Sequence, residues 1–156
     1  MNLNTNYIEY EGINAPNCDS FDLITFKEFS LSEILDLPFS SCESGHILKT
    51  TAKVNILNKK LIKTPVASSV EGQVLTGLKI GIEGEVCTKV TYASDINNQS
   101  IHVLNYKTTF YISTTVPSYI KSVDSIRSNV YVENISIEEY SDNAVCENLV
   151  LLLVLE

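Results

Sequence analysis

Tryptophan is missing from this 156-residue chain, methionine occurs only at position 1, and there are two histidines, six glycines and four prolines. Without tryptophan, a sugar-stacking platform would have to be built from Tyr92, Tyr106, Tyr111, Tyr119 and Tyr131, which read more simply as core or sheet-surface residues. The four cysteines, Cys18, Cys42, Cys87 and Cys146, are widely spaced and contain no C-x-x-C pair. A zinc site, which draws on close ligand pairs, would have to be assembled from distant segments, so no metal is expected. A cysteine nucleophile would need His46 or His102 as its base, and nothing nominates either. Gly72, Gly77, Gly81 and Gly84 do not lead into a helix carrying Lys-Ser or Lys-Thr, so they make no phosphate loop. No catalytic residue and no cofactor are expected.

Basic residues are also scarce. Eleven Lys and Arg against nineteen Asp and Glu give a net charge of −8, which disfavours phosphate backbones and makes nucleic acid an unsuitable partner. The longest apolar run, LVLLLVL at 149–155, falls far short of the ~20 residues a membrane-crossing helix needs, so no membrane partner is expected. It reads as a strand buried on both faces. The beginning, MNLNTNYIEYEGINAPNC, lacks a basic cluster followed by an apolar core; the expectation is synthesis in a cytoplasm without a signal peptide.

What the chain does have is Asn, Ile, Ser and Thr in quantity, a composition suggestive of an AT-rich coding genome and suited to pleated surfaces. Positions 1–20 are Asn-rich, broken by Gly12 and Pro16 and without a sustained period. They read as an N-terminal arm, flexible or docking on a neighbour, with Tyr7, Ile8, Tyr10 and Ile13 as apolar handles and Cys18 as a covalent one. From position 21 the chain reads as strands. FDLITFKEF opens the domain, SLSEILDLPF suggests one short helical turn ended by Pro38, and Asn58-Lys59-Lys60 suggests a tight turn.

In LTGLKIGIEGEVCTKVTY, Leu78, Ile80, Ile82, Val86, Val90 and Tyr92 occupy even positions, and Lys79, Glu83, Glu85 and Lys89 odd ones. That is the period of a strand with one dry face. The run is long for one strand, so its glycines are expected at bends or bulges. Cys87 is odd and should point outward with the charges, although unpaired cysteine is usually buried. Glu83 and Glu85 beside Lys79 and Lys89 read as a solvated charged face. In NVYVENISIEEY the apolar parity changes across Glu133-Asn134, the mark of a β-bulge. The expected fold is all-β, an antiparallel sandwich or barrel-like domain over 21–156 with an extended arm over 1–20.

The segment KTPVASSVEGQVLTGLKIGIEGEVCTKVTYASDINNQSIHVLNY resembles the SPOCS domain of clostridial spore-coat assembly proteins, SipL among them. The residues that carry the resemblance are Thr64-Pro65, Glu71-Gly72, Leu75-Thr76-Gly77 with Lys79, then Gly84, Tyr92 and Ser100-Ile101-His102. Phe110 and Val116-Pro117 extend it downstream, and the likeness runs from about Leu23 to the end. Thr109 stands where the family commonly has proline. No LysM-like module follows, so peptidoglycan binding is not carried over.

The resemblance implies a non-catalytic β domain of the spore envelope, made in the mother cell and deposited on the spore surface. Three readings follow. The first is a structural subunit of a coat, exosporium or spore filament, whose partners are copies of itself and other spore-coat or exosporium proteins. In that reading Cys18, Cys42, Cys87 and Cys146 are candidates for intersubunit disulfides, and the rest of the family pattern serves the fold. The second is an adaptor that recruits other coat proteins. The third, less favoured, is a carbohydrate-binding module or hydrolase, since fold alone does not give function.

Overall fold

The computed structural model describes residues 8–16, 22–38, 45–94, 100–141 and 143–156. Tyr7, Cys18 and Cys42 lie outside the described residues. The strands are β1 (Glu9–Glu11), β2 (Thr25–Asp36), β3 (Gly45–Ser68), β4 (Val74–Ser94), β5 (Ile101–Thr115), β6 (Ser128–Ser141) and β7 (Ala144–Leu155), with a single 3-10 turn at Val123–Ser125. They form two sheets that face each other, one in the order β1-β3-β4-β5 and one in the order β2-β7-β6. Every ladder is antiparallel except that between β1 and β3. The chain is the all-β sandwich its composition and alternation led one to expect.

The alternation of β4 sets the inner face of the larger sheet. Ile80, Ile82, Val86 and Val90 are wholly buried, while Glu83, Glu85, Cys87 and Lys89 stand on the other face. β7 does the same for the smaller sheet, with Val145, Leu149, Leu151, Leu153 and Leu155 inward. Its even residues Val150 and Leu152 are only half-buried. Val154, also even, is buried, so the expectation of a strand dry on both faces holds at Val154 and fails at Val150 and Leu152.

Two local readings give way to long-range pairing. The segment expected to make a helical turn is the second half of β2, held in unbroken register from Thr25 opposite Leu155 to Asp36 opposite Ala144. A weak local propensity loses to a full ladder against the most apolar strand of the chain. Asn58-Lys59-Lys60 is not a turn either, because β3 continues through it and absorbs the irregularity as a bulge at Leu57. The bulge reverses the parity of β3: Ala52 before it and Leu61 after it both belong to the core. The expected bulge in β6 is present, with Glu133 as the extra residue between Val132 and Asn134.

The core is divided. One cluster runs from Ile80, Ile82 and Val86 to Leu149–Leu155, the other joins Leu35, Leu37, Ile47, Val90, Tyr92, Ile137 and Val145. Between them sits Glu147, 1% exposed, whose carboxylate accepts the Thr88 hydroxyl through both oxygens at 2.9 and 3.0 Å. The neighbouring strand adds Thr50, buried with its hydroxyl unpartnered. Burial pushes the Glu147 carboxyl above the usual carboxylate range, and Glu33 on β2 adds to the rise. Tyr106, inward on β5, lies on the same level opposite Thr88 and is itself pushed up to about 12, chiefly by burial.

A carboxyl whose folded pKa lies above its unfolded value favours folding most fully below the unfolded value, and that contribution is lost as pH rises through the folded pKa. Stability should therefore fall as pH rises from the ordinary carboxylate range. Glu147→Gln, which keeps a partner for Thr88 without the charge, should raise stability at neutral pH by on the order of 1 kcal/mol and flatten that slope. Denaturant midpoints measured across the pH range will show it; an unchanged slope would contradict the assignment.

Candidate assembly surfaces

The described part of the N-terminal arm lies on its own domain. β1 pairs in parallel with β3, Glu9 to Glu11 opposite Lys49 to Thr51. Lys49 fastens it by ion pairs to Glu11 and Glu9, and these contacts hold the Lys49 ammonium above its ordinary range, Glu11 first. The arm then crosses to the other sheet. Ile13 bridges Val132, Asn14 takes the Val132 amide on its Oδ1 at 2.9 Å and donates its own amide to the Val132 carbonyl, and the Tyr10 hydroxyl accepts the Ile137 amide.

Ile8 and Tyr10 also pack on the second core cluster. Ile8, Tyr10 and Ile13 are thus the handles the sequence suggested, and here their partners are β3, β6 and the core. Gly12 makes the crossing feasible: its φ is 95°, and a Cβ there would stand 2.0 Å from the Ala52 carbonyl oxygen.

The arm covers part of one flank of the sandwich, where Lys59 also donates to the Ile126 carbonyl. On the opposite flank β2 runs beside β5, though the two belong to different sheets. Among the described residues only side chains span that gap: Lys27 Nζ donates to the Ser113 carbonyl at 2.9 Å, the Tyr106 hydroxyl donates to the Asp36 carbonyl at 2.6 Å, and the Phe29 and Phe110 rings meet at 5.3 Å. β5 therefore keeps a rim without a ladder partner. Ile101 and Val103 near its start are 67% and 50% exposed.

The two described cysteines face away from each other. Cys87 is outward on the larger sheet, between Lys53 and Lys107 in register, in a groove of about 430 Å³. Asn55 and Glu85 lie within reach of its sulfur, and hydrogen bonding from Asn55 followed by the charge of Lys107 holds Glu85 below the usual carboxylate range. Cys146 is outward on the smaller sheet, opposite Ile34 and Glu138. With the core between them they cannot bond within one chain, since a disulfide needs Cα atoms within about 7 Å.

Most of the family-pattern residues lie on the β3–β4 hairpin. Thr64 and Pro65 form the two-residue side of a bulge opposite Gly77, whose φ is 92°. Proline, unable to donate, falls where the ladder is already interrupted. Glu71 and Gly72 make the turn, held by Ser69 donating to the Gln73 carbonyl and accepting from Gly72. Lys79 is the last β4 residue before the ladder with β5 ends at Thr115.

Beyond that point the hairpin overhangs as a two-stranded ribbon. Thr76 and Leu78 anchor its root to Val116, just before Pro117. Val66, Val70 and Val74 on it are exposed, Val70 wholly so. Gly84 lies opposite Phe110 and under its ring, with no room for a Cβ, and Tyr92 stacks on His102 at 5.1 Å.

Sequence reasoning missed a groove of about 310 Å³ on the outer face of the smaller sheet. Its apolar wall is Pro16, Leu23, Phe26, Leu152 and Val154, and its rim is Glu28 from β2 and Glu133 from the β6 bulge. Burial against the wall, then a hydrogen bond with Glu28, hold Glu133 above the usual carboxylate range. The parity break at Glu133 was the available signal. The tyrosines suggested for a sugar platform are dispersed: Tyr92 in the core, Tyr106 bound to Asp36, Tyr111 beneath Lys60, and Tyr131 on the outside of the smaller sheet.

Gly12→Ala should lift the arm while leaving both sheets intact. Amide exchange at Val132 and Ile137 should then quicken at least about tenfold, equivalent to about 1.4 kcal/mol, with the β4 and β7 amides unchanged. Unaltered protection at Val132 would mean that the arm contact carries no weight.

Comparison with curated proteins and with solved structures finds no match. A family model described as SipL, SPOCS domain, matches residues 45–139, more than half of the chain, from β3 through nearly all of β6. These are the strands that carry the overhanging hairpin, the free rim and the bulge of Glu133. The chain belongs to the SPOCS-domain family and is a sporulation-related protein.

Proposed function

We propose that the protein is a non-catalytic structural subunit of the bacterial spore surface, in a coat, an exosporium or a filament, that joins to copies of itself and to other coat proteins. In this reading it is made in the mother-cell cytoplasm and deposited on the spore. The observation that carries it is the β5 rim: a long strand whose outer edge has no ladder partner among the described residues, with Ile101 and Val103 exposed and Lys27 bonded to it at Ser113 near its end. Such rims are templates for another chain, and soluble proteins ordinarily blunt them. Strand addition at a rim, if heterologous, builds an open array rather than a closed ring.

The outward thiols fit the same reading. Cys87 and Cys146 lie on opposite faces, so a bond from either must go to another molecule or to one of the two remaining cysteines. A disulfide between subunits would hold an array once formed, because exchange needs an attacking thiolate with access to the sulfur.

Light scattering should therefore show the purified chain growing with concentration, and electron microscopy should show sheets or fibres. Val103→Lys, which places a charge on the rim at an exposed site, should slow that growth while circular dichroism stays unchanged. A chain that remains a monomer or a small closed oligomer at high concentration would favour the adaptor reading. Boiling in SDS with and without reductant tests the thiols: oxidised material should give a ladder that collapses on reduction, and equal patterns would remove disulfides from the proposal.

A further inference from the structure

The overhanging hairpin and the groove of the smaller sheet are both unfinished surfaces, and their chemistry is reciprocal. On the ribbon, Val66 is opposite Thr76 and Ser68 opposite Val74, which puts the two valines on one face, with Val70 in the turn beyond them. Three β-branched side chains on so short a ribbon stand largely exposed. At its root stand Lys63 and Lys79, which form no ion pair among the described residues. Glu71 is the one acidic group on the ribbon.

The groove has the opposite character. Its floor is apolar, with Phe26 61% exposed and Leu152 half-buried, and its two carboxyls face each other with no lysine or arginine paired to them among the described residues. Two acids beside one apolar trough are costly unless a cation arrives with the apolar side chain that fills it. The ribbon brings valines and lysines on one element. It cannot reach the groove of its own chain, because the turn projects from the end of the larger sheet and the groove opens on the outer face of the other.

We propose that the β3–β4 overhang of one copy docks in the Phe26–Leu152 groove of the next, with its valines on the apolar floor and Lys63 or Lys79 answering Glu28 and Glu133. The contact joins two different surfaces, so each copy presents one of each, and repetition extends the assembly in one direction. This inference rests on the self-assembly reading above and names its contact.

The test places a photo-crosslinking amino acid at position 70 of the full chain and maps its adducts by mass spectrometry. The result expected is a linked dimer whose adduct lies on the peptide containing Leu23, Phe26 and Glu28, or on that containing Leu152 and Val154, of a second copy. Glu133→Lys should lower the dimer yield about tenfold, and Lys63→Glu with Lys79→Glu in the same chain should restore it. Glu133 and Lys63 are exposed and Lys79 is partly shielded, and circular dichroism checks the fold of each variant. Adducts on β5, or no adducts in material that has grown by light scattering, would overturn the docking and leave self-assembly standing. A chain that neither grows nor links would overturn both.

Discussion

Two facing sheets present four lateral rims of backbone donors and acceptors, and each must be paired, capped or left for another molecule. How this chain treats its rims shapes everything else about it. On one flank the rims of β3 and β6 are closed by β1, Ile13 and Asn14. On the other, β2 and β5 lie side by side without a ladder and are joined, among the described residues, by side chains, those of Lys27 and Tyr106 through hydrogen bonds. The sandwich is sealed like a book on its spine and held by two clips at its opening.

The core underneath is ordinary in its alternation and unusual in its middle. Glu147 and Thr88 interrupt the apolar contact between the sheets where it should be driest. A buried carboxylate with one hydroxyl partner costs more than it returns, and a leucine of similar shape would pack better. It does fix alignment, because a slide of β7 by one residue would turn Glu147 outward and bring Cys146 or Asn148 to face Thr88. Specification of register is the physical service such a group can render.

Much of this was legible in the sequence, and the exceptions share a cause. The β4 alternation and the Glu133 parity break are properties of consecutive residues, and both reappear in the structure. So does the outward aim of Cys87. The turn at Asn58-Lys59-Lys60 and the helical turn after Ser30 failed because each was read from local preference, whereas the strand that overrides it lies some twenty-five residues away in the first case and over a hundred in the second, roughly as the ladder registers show. Glu147 escaped notice because, in NAVCENLVLLLVLE, only its parity separates a buried acid from an exposed one. The arm could not be placed, since parallel pairing by three residues leaves no period to read. For the candidate surfaces, the cysteines were visible and the groove was not, as it forms where β2, β6 and β7 meet Pro16 and Leu23.

The position of the arm bears on how a copy comes to completion. Ile13 and Asn14 lean on Val132, 118 positions beyond Asn14, so this part of the arm has no seat until β6 has been made. Through that interval the segment and its berth are both vacant, and a neighbour's vacant berth is as good as its own. Exchange of this piece between nascent copies would leave every bond described for it in place, while tying two molecules together from birth.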